Sequence, residues 1–87
     1  MPTTSFHIAM EGVKSIESRL SDEEKLKLYS LYRQAYVGDC NSVREGIVGA
    51  KALAKWYAWN ARKGQTKENA SEEYVTYVNE LKSKYDD

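Results

Sequence analysis

The last third of the chain repeats its apolar residues at helical spacing and at no other. Ala70, Tyr74, Tyr77, Val78, Leu81 and Tyr85 keep a near-heptad rhythm while Glu and Lys fill the positions between them. Such a stripe buries one face of a helix and leaves the other in water, so the segment must find a partner surface. The same period recurs upstream. Phe6, Met10, Val13 and Ile16 follow one another at helical intervals and predict an amphipathic first helix, with Thr3, Thr4 or Ser5 available as its cap. Ser21-Asp22-Glu23-Glu24 reads as a capping box, in which Ser21 accepts from the backbone N–H of Glu24 and the Glu24 carboxylate reaches back. A second helix therefore starts there and runs to about Val37. No strand alternation, repeat or low-complexity tract competes, and the fold class is all-α.

Gly38, Asp39, Asn41, Ser42, Gly46 and Gly49 break the pattern and predict a connection of about a dozen residues, long for a compact domain. A third helix covers Ala50 to Lys63 and stops at Gly64, which suits a left-handed cap, and Thr66 can cap the fourth. At 87 residues these helices make one domain, residues 1–87. Lone Cys40 cannot close an internal disulfide, and no Cys/His set is available to hold a metal, so helix packing must carry the stability. No apolar run suits a signal peptide or a membrane span, which points to a cytoplasmic protein without stable membrane insertion.

Thirteen Lys and Arg balance thirteen Asp and Glu, which argues against a dedicated nucleic-acid binder, whose phosphate contacts need a basic excess. Locally the balance fails. Between Arg44 and Lys67 the cations are Arg44, Lys51, Lys55, Arg62, Lys63 and Lys67, and Glu45 is the sole acid. Taken alone, such a run is most often a solvated helix face balanced by acids in space; it is also where an anion would sit.

On the second helix, Leu28, Leu31 and Ala35 form an aliphatic strip assigned to the core. Tyr29, Tyr32 and Tyr36 lie on the adjacent strip, with Lys25 beside them and Arg33 at its border. A phenol has a flat apolar body and a polar tip, which suits a half-wet site where a base stacks and a phosphate is hydrogen-bonded. Boundary tyrosines with hydroxyls in water produce the same pattern. On the third helix Lys51, Lys55 and Arg62 share one stripe, and an anion between Lys51 and Lys55 would relieve their repulsion; Trp56 and Trp59, on the next stripe, are assigned to the core. Nothing in the spacing of His7 and Cys40 places them together, and no glycine-rich phosphate loop or metal-ligand spacing is present, so the chain is read as a binding protein and not an enzyme.

Three runs carry a family resemblance: Y-x-x-Y-R-Q-A-x-x-G-D at Tyr29 to Asp39, K-W-x-A-W at Lys55 to Trp59, and K-G-x-T-x-E-x-A at Lys63 to Ala70. In order and at this spacing they resemble the acyl-CoA-binding proteins over nearly the whole chain. The resemblance implies an up-down-down-up four-helix bundle with an open site for the CoA head where the second, third and fourth helices meet. It further implies that Tyr32 and Arg33 contact the adenine and the ribose 3′-phosphate, that Lys55 joins them at the phosphates, and that Lys14, Tyr29 and Tyr74 match ligand-contacting positions. Lys51 matches a basic position beside the site, and Ser30 and Leu31, between the contacting tyrosines, belong to the same expected set. The acyl chain is expected in an apolar groove near Leu26.

Four residues depart from the family pattern. Arg33 stands where Lys is usual, Glu45 where Pro is usual, Tyr36 where a small residue is usual and Met10 where Ala is usual. The activity implied is the binding of medium- to long-chain acyl-CoA esters by an intracellular carrier and pool former in lipid metabolism. No cofactor is expected beyond that ligand. The expected state is a monomer with transient contacts to acyl-CoA-using enzymes or membranes. The other class of reading is a helical protein-interaction module that uses the exposed tyrosine face as its hot spot.

Overall fold

A computed structural model describes residues 3–85 of the chain. Four α-helices, α1 (Thr4–Val13), α2 (Asp22–Tyr36), α3 (Ala50–Asn60) and α4 (Lys67–Tyr85), are joined by a short 3₁₀ turn at Glu17–Arg19, the long loop 37–49, and a tight turn before α4. No strand occurs among the described residues.

Thr3, of the three candidates, caps α1, its Oγ1 accepting from the N–H of Phe6 at 3.3 Å. The expected helix through Ile16 stops early. Consecutive i→i+3 hydrogen bonds from Lys14, Ser15 and Ile16 tighten the chain after Val13, and this turn delivers Ile16 into the core, where it is fully buried. The capping box forms in full: Ser21 Oγ accepts from Glu24 N at 3.1 Å and Glu24 Oε1 accepts from Ser21 N at 2.8 Å. The third helix is also shorter than expected. It ends at Asn60, after which i→i+3 bonds from Arg62 and Lys63 wind the chain to Gly64 at φ +98°, and Thr66 Oγ1 caps α4 through Asn69 N at 3.0 Å.

Cross-helix contacts set the directions. Tyr29 meets Lys55 and Arg33 meets Trp59, one turn further along both helices, so α2 and α3 run the same way. Glu24 meets Lys84 and Tyr85 while Gln34 donates to the carbonyl of Gln65, so α2 and α4 are antiparallel. Phe6 packs on Tyr74, and Lys82 lies against Gly12, so α1 runs with α4. The architecture is an up-down-down-up bundle. The parallel α2–α3 pair explains the long loop, because the chain must return along the roughly 22 Å of α2 before α3 can begin.

The core is the shared interior of α1, α2 and α4: Phe6, Ile16, Leu31 and Val78 are closed to solvent, with Leu28, Ala35, Ala70 and Leu81 around them. Trp59 is buried as expected, whereas Trp56 stays half-exposed and donates its Nε1–H to the carbonyl of Ser42 at 3.0 Å. A polar clip closes the other end of α2. Asp39 accepts from Gly64 N–H at 2.8 Å and from Gln34 Nε2 at 2.9 Å, and Trp59 Nε1 donates to Gly38 O at 2.9 Å. Several residues of the three signature runs therefore hold the α2 terminus against the α3–α4 turn.

Candidate ligand-binding groove

The helix directions leave an open groove of about 450 Å³ where the first half of α2 faces α3, α4 and the α1–α2 connection. Lys25, Leu28, Tyr29 and Tyr32 line it from α2, Lys55 from α3, Tyr74 from α4, and Val13, Glu17 and Leu20 from the end of α1 and the turn that follows. Positions i, i+3, i+4 and i+7 of one helix share a face, which is why Lys25, Leu28, Tyr29 and Tyr32 look into the same space.

Part of the lining is aromatic and cationic. Lys55 Nζ sits 5.2 Å from the centroid of the Tyr29 ring, a cation–π contact that holds the ammonium over the groove without neutralising it. Tyr32 is half-buried, stacked near Phe6 at 6.5 Å and tilted against Tyr36 at 5.0 Å. Tyr74 is almost wholly buried against Phe6, with ring centroids 4.7 Å apart. Burial, with Tyr32 and Glu17 adding to it, pushes the Tyr74 phenol up to about 12, so it stays protonated and able to donate a hydrogen bond throughout the physiological range. Val13, Leu20 and Leu28 add aliphatic surface to the same lining, with Glu17 and Lys25 among them. A charged, aromatic head with an apolar tail fits this lining.

Of the nine residues expected from the sequence, Tyr29, Tyr32, Lys55 and Tyr74 meet in this groove. Arg33 is not part of the lining: its guanidinium stacks on the Trp59 ring at 4.5 Å, and its Nε is buried without a hydrogen-bond acceptor. Lys51 is exposed one turn before Lys55 on α3. Lys14 is exposed and paired with Glu11 at 3.2 Å, outside the groove lining. Ser30 and Leu31 face the interior. Leu31 is fully buried, and Ser30 Oγ donates to Lys27 O at 2.8 Å while accepting from Arg62 Nε at 2.6 Å. A position between two groove-facing residues of a helix points to the opposite side, so neither reaches the groove.

Arg62 also departs from expectation. Because α3 ends before it, Arg62 leaves the Lys51–Lys55 stripe and reaches Ser30, Gln65 and, at 3.6 Å, Glu73. The aliphatic part is built by Val13, Leu20 and Leu28, and Leu26 does not line it. Tyr36 leaves the groove open, packing against Phe6 at 5.6 Å and His7 at 6.2 Å. Met10 packs on the edge of the core. Glu17 and Leu20 had a sequence signal in Leu20 alone, an isolated apolar residue just before the capping box.

His7 rests on Phe6 and Tyr36, and Cys40 Sγ approaches Ser42 O at 3.8 Å, so neither meets an acid–base partner. Among the described residues no group of three His, Cys, Asp or Glu side chains is arranged to hold a metal ion. No helix among them is long and apolar enough to cross a membrane.

The family model described as acyl CoA binding protein matches residues 3–78. An acyl-CoA-binding protein homolog of Drosophila melanogaster is 46% identical over 85 residues, covering 98% of this chain and 99% of that one. The crystal structure of Oryza sativa acyl-CoA-binding protein 2 superposes with a TM-score of 0.85 at 40% identity, covering 92% of this chain and 89% of that chain. The solution structure of an acyl CoA binding protein from Babesia bovis superposes with a TM-score of 0.68 at 34% identity over 97% of this chain and 100% of that chain. With its sequence and its bundle topology in agreement, the chain belongs to the acyl-CoA-binding protein family.

Proposed function

We propose that the protein binds medium- to long-chain acyl-CoA esters in this groove and serves as a cytoplasmic, monomeric, non-enzymatic carrier that buffers them for lipid metabolism. The observation that carries the reading is the pairing, in one groove, of a cation held over an aromatic ring with the aliphatic side chains of Val13, Leu20 and Leu28. Family membership adds the ligand class.

In this reading Lys55 and Arg33 attract the phosphates, and Tyr29 and Tyr32 stack with the adenine and ribose. Tyr74, protonated at all working pH, donates to an oxygen of the head group. Arg33 is suited to this because its guanidinium is planar, always charged and already ordered on Trp59, with an N–H lacking an acceptor. Lys51 adds long-range attraction, and Lys14 contributes once it leaves Glu11, which an exposed pair permits at small cost. The acyl chain lies along Val13, Leu20 and Leu28, removed from water. Each fully desolvated CH₂ contributes about 0.8 kcal/mol, and an open groove delivers less than that.

Titration calorimetry with acyl-CoAs of graded length tests the proposal. Affinity should rise with each CH₂ and then level off once the aliphatic surface is filled; affinity independent of chain length would reject the groove as the acyl site.

A further inference from the structure

Lys25 is the groove cation that the head-group arrangement leaves unused. It shares the lining with Val13, Leu20 and Leu28 and stands one turn of α2, about 5.4 Å of helix rise, before Tyr29 and the Lys55 ammonium held over it. None of the three ion pairs among the described residues involves Lys25. Nor does it lie over a ring, as Lys27, Lys55 and Lys84 do. The acids around it are engaged elsewhere or stand apart. Glu24, its neighbour in sequence, is committed to Lys84 and Tyr85. Glu17, in the same lining, acts on the Tyr74 phenol and forms no ion pair with Lys25.

A lysine stem can lie along aliphatic surface while its ammonium stays in water. Lys25 is exposed, so its charge keeps its hydration until a group of opposite sign arrives. The groove thus presents two cationic stations on one lining, Lys55 over an aromatic ring and Lys25 among aliphatic side chains. A ligand charged at one end uses the first station and passes the second with plain hydrocarbon. A ligand charged at both ends, with hydrocarbon between them, uses both.

We propose that Lys25 makes the groove select acyl-CoA esters whose acyl chain ends in a second carboxylate, the CoA thioesters of dicarboxylic acids. This rests on the acyl-CoA reading above, with the CoA head at Lys55 and the methylenes along Val13, Leu20 and Leu28. The far carboxylate then accepts a charge-assisted hydrogen bond from the Lys25 ammonium. Chain length acts differently on the two kinds of ester. A methyl-ended chain gains apolar burial with each CH₂ until the groove is full. A carboxylate must instead reach the ammonium: on a shorter chain it is held among the aliphatic side chains and loses hydration, and on a longer one it overshoots into water. Glu17 opposes the selection, being an acid on the same lining.

Calorimetry with methyl-ended and carboxylate-ended acyl-CoAs of matched, graded length tests the proposal. The readout is the ratio of the two affinities at each length, from which any general change in fold or head-group binding cancels. In the parent protein the ratio should peak at one chain length. Lys25→Met should lower that peak about tenfold, the equivalent of one exposed charged hydrogen bond. Lys25→Arg should keep it, and Glu17→Gln should raise it. A ratio without a peak in the parent, a peak that Lys25→Met leaves at the parent value, or one that Lys25→Arg lowers as far as Lys25→Met does would overturn the proposal. A parent protein that binds neither kind of ester would overturn the proposed function itself, whereas one that binds methyl-ended esters and shows no peak overturns the selection by Lys25 alone.

Discussion

Lys55 and Tyr29 show how one aromatic ring holds a cation in place over the groove. Over the Tyr29 ring the ammonium is ordered without being discharged, because an aromatic face attracts a cation but does not cancel it. Lys55→Met should therefore weaken acyl-CoA binding by about 1.5 kcal/mol, the lower part of the range for a charged hydrogen bond because the site is exposed. Thermal stability should hardly change, and calorimetry beside a melting curve separates the two effects. Tyr29 and Tyr32 stood out in the sequence because tyrosine at helical spacing beside cations is a poor choice for a core, and Lys55 because it shares a stripe with Lys51, whereas Tyr74 reads as core by its spacing and joined the set only through the family resemblance. Ser30 and Leu31 face the interior, because adjacency in sequence is not adjacency in space on a helix. Arg62 leaves the Lys51–Lys55 stripe because α3 ends at Asn60 and the chain tightens into i→i+3 bonds at Arg62 and Lys63, so its guanidinium reaches Ser30.

At the scale of elements, each end of α2 is secured by one carboxylate. Glu24 closes the capping box and also accepts from Lys84 at 2.9 Å and Tyr85 at 2.7 Å, tying the start of α2 to the end of α4. The backbone N–H of Ser21, then Lys84 and Tyr85, pull its pKa down from 4.5 to about 2. A carboxylate with a lowered folded-state pKa stabilises the fold above its unfolded value and loses that contribution as pH falls through the folded one. The stability difference between the parent and Glu24→Gln should therefore be full at neutral pH and shrink between about pH 4.5 and pH 2, as followed by thermal melts across that window. At the other end, the Gly64 N–H and Gln34 hold Asp39 below its usual range. Gly64 itself sits at φ +98°, which a side chain rarely adopts. Gly64→Ala should destabilise the protein by roughly 1 kcal/mol or more in urea melts. The capping box and the Gly64 stop were plain in the sequence, since each is a local signal. The ends of α1 and α3 were not, because the apolar period continues through Ile16 and the cations through Lys63, while tertiary packing selects the tighter turn.

For the whole molecule, parallel α2 and α3 are the consequential feature. An antiparallel pair needs only a short turn, so the long loop is the cost of bringing Tyr29 and Lys55 to the same level and opening a groove against α4 and the α1–α2 turn. All-α packing followed from periodicity alone, whereas the helix directions came from the family resemblance and from cross-helix contacts. Glu17 and Leu20 became visible as groove residues only once the turn after α1 was placed. As proposed, the groove recognises a charged head and an acyl chain together. Calorimetry comparing a long-chain acyl-CoA with the free fatty acid of equal length tests this most directly. The account predicts at least a hundredfold tighter binding of the ester, about what two charged hydrogen bonds at roughly 1.5 kcal/mol each provide; equal affinity for the two would contradict it.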